Sequence, residues 1–174
     1  PFAHRYAMVA LACAGDLRFI PSLLEAPRPD GRPHYSIDTA RAVRRSLGSK
    51  DCLFFLLGVD AFLDLPHWKD YCHLLDTVNF IIVSRPGFSS GDIWKTLPRD
   101  LVPAAQGGVL PAAIRLRHTV LHVLRGVDAP VASRDIREAV RAAQQVTGLV
   151  PPLVEQYILK EGLYRPAGVG WKRQ

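Results

Sequence analysis

The sequence predicts an α/β fold, a parallel sheet with helices on both faces that is followed by a helical C-terminal segment. Three observations predict it. Two continuous apolar runs of strand length, Leu53-Phe54-Phe55-Leu56-Leu57 and Val78-Asn79-Phe80-Ile81-Ile82-Val83, lie one helix apart, and runs that do not alternate mark strands buried on both faces. The stretch between them, Ala61 to Leu75, supplies a crossover helix broken near Pro66. From Ser133 onward the apolar period becomes helical. With 174 residues, 48% of them hydrophobic and 22% charged, the chain has the composition of a globular protein. Its length suits one domain spanning residues 1–174.

Taken in order, Phe2, Tyr6, Val9, Ala10 and Cys13 recur at helical spacing, and Gly15 follows as a stop. Leu17 to Leu24 is short and apolar with Pro21 inside it, which reads as an edge strand. It runs into the turn-rich, basic loop Ala26-Pro27-Arg28-Pro29-Asp30-Gly31-Arg32-Pro33. Ser36 or Asp38 is placed to cap a helix from about Thr39 to Leu47, closed by Gly48. The two apolar runs and their crossover form a βαβ unit, expected to be right-handed. Ser89 to Leu116 shows no period, and Thr119 to Leu124 reads as a further strand. In the C-terminal segment Ile136, Ala139, Val140 and Ala143 share a helical face. A second helix runs from Pro152, a first-turn proline, to about Lys160, with Gly162 beyond its end.

Composition narrows the function. A formal charge of +6 and a pI near 9.6 favour anionic partners. The basic residues are scattered, without the dense tract of a nucleic-acid surface, so phosphorylated small molecules fit better than nucleic acid. No apolar run reaches the roughly 18 to 20 residues of a membrane span, and the first residues do not resemble a signal peptide. A cytoplasmic location is expected. Cys13, Cys52 and Cys72 are odd in number and lack a C-x-x-C pair, which argues against a disulfide framework or zinc site and makes them core or boundary residues. His118 and His122, four apart, fall in strand-like sequence, where that spacing does not form a metal pair. A homo-oligomer is compatible with this composition.

In a parallel sheet the ligand sits outside the carboxyl ends of the strands. Gly58-Val59-Asp60 follows the first run. Such a glycine lets a ring or sugar approach the backbone, and the carboxylate can accept ribose hydroxyls; taken alone, the same residues make a tight turn with a capping Asp. Ser84-Arg85-Pro86-Gly87 follows the second run, and Arg85 offers either a planar cation to a phosphate or an ordinary surface charge before a turn. Val131 to Arg137 enters a helix with Ser133, Arg134 and Arg137 at its start. That is a place for a polyphosphate, or a plain Ser cap with solvated arginines. Trp68 is either a stacking platform or a packed core residue.

These pieces occur together and in order. His34-Tyr35-Ser36-Ile37-Asp38-Thr39, then Leu57-Gly58-Val59-Asp60-Ala61-Phe62 with Leu65 and Trp68, then Val83-Ser84-Arg85-Pro86-Gly87, resemble the S-Y-T-x-D-T, LGxDxF…W and vsRPG blocks of bacterial nicotinate-nucleotide adenylyltransferases. Val131 to Arg137 resembles the family's ISSTxIR block. Gly148-Leu149-Val150-Pro151 with Val154, Tyr157-Ile158 and Leu163-Tyr164 resembles its LVPxxVxxYIxxxxLY ending. The resemblance implies a Rossmann-like sheet of the nucleotidyltransferase type, with residues 131–165 as a phosphate-binding loop and helices within the one domain. It implies AMP transfer from ATP to nicotinate mononucleotide, with Mg²⁺ accompanying ATP. It further implies that Gly58, Asp60, Ser133, Arg134, Ile136 and Arg137 bind ATP. Tyr35, Ser36, Trp68 and Arg85 would hold the mononucleotide, with Trp68 on its ring.

Three departures stand out. Ala132 and Arg134 replace two hydroxyl residues of the family's block, Ser36 replaces its Thr, and its G-G-x-F-D-P-x-H-x-G-H segment, whose histidines meet the phosphates, has no counterpart. The resemblance therefore leaves no catalytic residue visible and places the first strand-loop unit before Pro1. A native chain longer by about 40 to 60 residues is expected, and the polypeptide as given is expected to be inactive or weak. The other readings are an adenylyltransferase for nicotinamide mononucleotide or phosphopantetheine, and an inactive nucleotide-binding module.

Overall fold

A computed structural model describes residues 1–84, 90–102, 111–126 and 131–165 of the chain. The chain divides into two compact units, Arg28–Asp128 and Pro1–Pro27 with Ala129–Gln174, the first cut falling in the proline-rich loop.

The unit Arg28–Asp128 is built on a four-stranded sheet of order β1-β2-β4-β3, with β1 Phe54–Gly58, β2 Asn79–Val83, β3 Ala113–Arg115 and β4 Val120–Leu124. β1, β2 and β4 run parallel, and β3 is antiparallel to β4. The register sets Gly58 opposite Val83 and Val83 opposite Leu124, so the carboxyl ends of the three parallel strands are level. The crossover from β1 to β2 is three short pieces: α3 Val59–Leu63, a 3-10 turn Leu65–His67 and α4 Tyr71–Thr77. Pro66 breaks the helix where expected. The core holds Leu57, Phe62, Leu65, Leu74, Phe80, Ile82, Leu121 and Val123 together with Ile37 of α2 Ser36–Ser46 and Ile93 of α5 Ser90–Thr96. Phe80 stacks on Phe55 at 5.7 Å and meets Phe62 edge-on at 6.2 Å.

Several expectations change. Burial of the strands alternates: Leu57 goes into the core, while Phe54 and Leu124 are exposed and Leu56 is 65% exposed. Apolar identity thus reports that a face can be buried; among the described residues the second face is exposed in β1, mostly exposed in β4 and partly buried in β2. Ser89 to Leu116 contains α5 and β3, which the sequence did not reveal, because one is two turns long and the other pairs only through a tertiary neighbour. Leu17 to Leu24 forms turns and irregular backbone rather than an edge strand; none of the described strands pairs with it, and Leu17 is fully exposed. The helix expected from Thr39 begins at Ser36, since Tyr35 takes the extended cap position and its carbonyl accepts the Asp38 and Thr39 N–H groups. Neither Ser36 nor Asp38 is the cap. Cys52 is exposed rather than a core residue.

The other unit contains α1 Phe2–Cys13, α6 Ser133–Arg141 and α7 Pro152–Lys160. Val140, Val146, Val154 and Ile158 form its core, with Met8, Leu11, Ile136 and Tyr164 packed against them. His4 Nδ1 and the Tyr157 hydroxyl hydrogen-bond at 2.9 Å, tying α1 to α7. α7 starts on Pro152 and ends before Gly162, whose φ is +60°, as its sequence signals require. Ala143, expected on the face of α6, lies beyond its end with φ +55°.

Candidate active site

Gly58 closes β1 and caps α3 with φ −71° and ψ 154°, an extended conformation open to any residue. None of the described residues comes within 4 Å of where a Cβ on Gly58 would stand. Backbone and packing within the described structure therefore place no demand for glycine here. Asp60 is exposed in the first turn of α3 and is not its cap, a place taken by Gly58. At the neighbouring strand end the Ser84 N–H donates to the Leu124 carbonyl at 2.9 Å, tying the exit of β2 to that of β4. Gly58 and Ser84 thus leave the sheet at one end, as the sequence implied. Arg85 lies outside the described residues.

Trp68 follows the 3-10 turn, half-buried and not helical. Its indole stands edge-on to Phe55 of β1 at 6.1 Å, and its Nε1–H donates to Asp64 at 3.3 Å. Ring orientation is thereby fixed from two directions. Tyr35 and Ser36 sit at the start of α2, where the helix's partial positive charge favours an anion. The two segments meet through a residue that the sequence did not single out. Lys69 Nζ lies 3.1 Å from Asp38 Oδ2 in the first turn of α2 and 4.4 Å from the centre of the Tyr35 ring. Asp64 and Lys69 were missed, and Asp38 was read only as a cap candidate, because each acts on a neighbour in space, and only the adjacency of Lys69 to Trp68 could have drawn attention to it.

The remaining candidates lie in the other unit. Ala132 is the N-cap of α6, so Ser133 is its first helical residue and not the capping Ser considered from sequence. The Ala132 N–H donates to the Asp135 carboxylate at 3.2 Å. The first intrahelical bond runs from the Ile136 N–H to the Ala132 carbonyl at 3.2 Å, which leaves the N–H groups of Ser133, Arg134 and Asp135 without a partner inside the helix. Arg134 is mostly exposed, 3.8 Å from Asp135; Arg137 is half-buried and Ile136 packs into the unit's core. His122 lies in β4, as its strand-like surroundings required, while His118 is in the preceding turn, 4.0 Å from Asp76.

A mostly parallel α/β sheet whose level carboxyl ends carry a spare glycine, with an oriented indole in the same unit, is the framework of the nucleotidyltransferase class. The nicotinic acid mononucleotide adenylyltransferase of Plasmodium falciparum, solved with APC and with NaAD, shares the fold at a TM-score of 0.63 and 18% identity. The match covers 94% of this chain and 76% and 74% of the two solved chains. The "probable nicotinate-nucleotide adenylyltransferase" of Geobacter sulfurreducens is 36% identical over 171 residues, 97% of this chain and 77% of the relative. Those of Pelobacter propionicus (36%, covering 94% and 75%) and Moorella thermoacetica (34%, covering 94% and 68%) match along almost the same span. The chain belongs to the nicotinate-nucleotide adenylyltransferase family. No family model matches it. No helix among the described residues is long and apolar enough to cross a membrane.

Proposed function

We propose that the chain transfers AMP from ATP to nicotinate mononucleotide, releasing pyrophosphate and forming the dinucleotide precursor of NAD. The observation that carries this reading is the relationship to nicotinate-nucleotide adenylyltransferases along 97% of the chain. A cytoplasmic location belongs to the same proposal.

The chemistry asks little of any single side chain. The mononucleotide phosphate has a second pKa of about 6, so at neutral pH it is a ready nucleophile without a general base. Its oxygen attacks the α-phosphorus of ATP in line, the bond to the bridging oxygen breaks, and pyrophosphate leaves with the electron pair. The protein's contribution is to bring two polyanions together and offset the charge that moves onto the leaving group. In this reading Gly58 and Asp60 meet the adenosine. Ser133, Arg134, Ile136 and Arg137, with the N–H groups of the α6 start, receive the ATP phosphates. Trp68 stacks on the nicotinate ring, Tyr35 and Ser36 meet its carboxylate, and Arg85 pairs with the mononucleotide phosphate. Mg²⁺ enters as part of the ATP substrate: the described residues gather no group of three or more His, Cys, Asp or Glu side chains, and this ion needs few protein ligands when phosphates supply the rest.

Pyrophosphate release, measured with nicotinate mononucleotide, nicotinamide mononucleotide and phosphopantetheine as acceptors, tests the reading. Nicotinate mononucleotide is expected to give a kcat/KM at least about tenfold above either competitor, the discrimination of one well-placed charged contact. Equal rates for the two pyridine mononucleotides would remove the nicotinate preference. ATP binding without pyrophosphate release with any acceptor would favour an inactive nucleotide-binding module.

A further inference from the structure

We infer that Lys69 is a positioning residue for the mononucleotide ring, fastening the Trp68 segment to the start of α2; this rests on the proposed placement of that ring against Trp68. Two segments 31 residues apart in sequence converge on its ammonium group. Nζ is 3.1 Å from Asp38 Oδ2 and 4.4 Å from the centre of the Tyr35 ring, so one cation holds a carboxylate and an aromatic face of the same helix start. Asp38 is itself anchored in the first turn of α2, where the helix favours a negative charge.

The backbone around Lys69 makes it the deciding link. On one side Trp68 is held by its edge contact with Phe55 and its hydrogen bond to Asp64. On the other, Asp70 adopts the left-handed conformation, φ 52°, and caps α4. The indole is thus fixed relative to β1, and Lys69 fixes α2 relative to the indole. The Lys69 and Asp38 side chains remain 45% and 37% exposed, so the pair adds little to global stability. Its effect falls on how the Trp68 segment and the Tyr35-Ser36 turn are held relative to each other, the two places proposed for the ring and its carboxylate.

A positioning role differs from direct contact in one measurable respect. The ammonium is already engaged by Asp38 and Tyr35, so its loss should loosen the subsite for any pyridine ring. A direct contact with the nicotinate carboxylate would leave nicotinamide mononucleotide unaffected. Lys69→Gln, Lys69→Arg, Asp38→Asn and the Lys69→Gln/Asp38→Asn double variant are compared with the unaltered full chain. Binding is read from Trp68 fluorescence in a background carrying Trp94→Phe and Trp171→Phe, and KM and kcat from pyrophosphate release. Lys69→Gln is expected to weaken binding of both pyridine mononucleotides about fivefold, the upper range for an exposed charged pair. kcat and the KM for ATP should stay within about twofold. Asp38→Asn should match it, the double variant should be no worse than either single one, and Lys69→Arg should recover most of the loss. Additive losses in the double variant, or a loss confined to nicotinate mononucleotide, would overturn the inference. If the unaltered chain binds nicotinate mononucleotide and Lys69→Gln binds it equally well, only the inference fails. If the unaltered chain neither binds nor uses it, the functional reading fails and the inference with it.

Discussion

Replacing Gly58 by Ala separates a glycine needed by the fold from one needed by a ligand. The backbone at Gly58, φ −71° and ψ 154°, suits alanine, and none of the described residues lies within 4 Å of the added methyl group. Alanine restricts the unfolded chain more than glycine, so Gly58→Ala should stabilise the protein by about 0.4–1 kcal/mol, a rise of about 1–4 °C in Tm for a chain of this size. ATP should respond in the opposite sense. A group resting on the Gly58 Cα at a contact distance of about 3.5–4 Å would meet a methyl carbon projecting about 1.5 Å toward it and would have to move by about an ångström. Misplacement on that scale weakens a positioned reaction by up to about a hundredfold, so kcat/KM for ATP is expected to fall about 10- to 100-fold, or about 1.4–2.7 kcal/mol. Thermal melting and ATP titration on the same preparation decide the matter. A Tm lowered by more than a few degrees would make Gly58 a structural glycine, and an unchanged ATP affinity would remove the adenosine from this strand end.

The helix ends supply two further tests. Both α6 and α7 finish in the same bonding pattern: Gln144 N–H to Ala139 and Ala143 N–H to Val140 in one, Leu163 N–H to Ile158 and Gly162 N–H to Leu159 in the other. The left-handed position is Ala143 in α6 and Gly162 in α7. Ala143→Gly should therefore stabilise the chain, and Gly162→Ala destabilise it, each by about 1 kcal/mol in urea unfolding; shifts of the same sign would refute the pairing. Ala132→Ser places an acceptor at the N-cap of α6 for the Asp135 N–H, and Tm should rise by about 2–4 °C, the equivalent of about 1 kcal/mol; no rise would show that this helix start is satisfied otherwise. Tyr71, whose phenol pKa is raised by partial burial and by the neighbouring Cys72 and Asp100, should titrate in the ultraviolet above the ordinary value of about 10. Its contribution to stability is then full below that value and lost as pH rises through the higher folded-state pKa. A midpoint at or below the ordinary value would contradict this.

What the sequence made legible depended on how local each signal was. The strands at Phe54–Gly58 and Asn79–Val83 and the helix at Pro152–Lys160 were readable because apolar runs, a first-turn proline and a terminal glycine act within a few residues. The break in the crossover at Pro66 follows from proline's missing N–H, wherever the helix packs. Leu17 to Leu24 failed for the opposite reason: a strand exists only with a partner, and the apolar residues do not say whether one is there. β3 is the mirror case, three residues that count as a strand only because β4 lies beside them. The candidate site divides along the same line. Gly58 and Trp68 stand out as residue types in unusual places, whereas Lys69 is an unremarked surface residue until Asp38 and Tyr35, more than thirty positions earlier, are folded against it.

The start of α6 differs from the family pattern in its side chains and not in its backbone. Relative to the block it resembles, this chain has Ala132 and Arg134 where hydroxyl residues stand. The N–H groups of Ser133, Arg134 and Asp135 precede the first intrahelical bond whatever side chains they carry, so the backbone's affinity for an anion survives both replacements. The charge balance does change. Asp135, drawn to the Ala132 N–H, sets a carboxylate beside the place proposed for a polyphosphate, and Arg134 at 3.8 Å offsets it. Recognition moved from hydroxyl groups to an exposed cation becomes more sensitive to ionic strength, because salt screens a charge and leaves a neutral hydrogen bond largely untouched. In the proposed reaction, the dependence of ATP affinity on salt should therefore fall in Arg134→Thr, and it is there, rather than in the affinity at one salt concentration, that the replacement would declare itself.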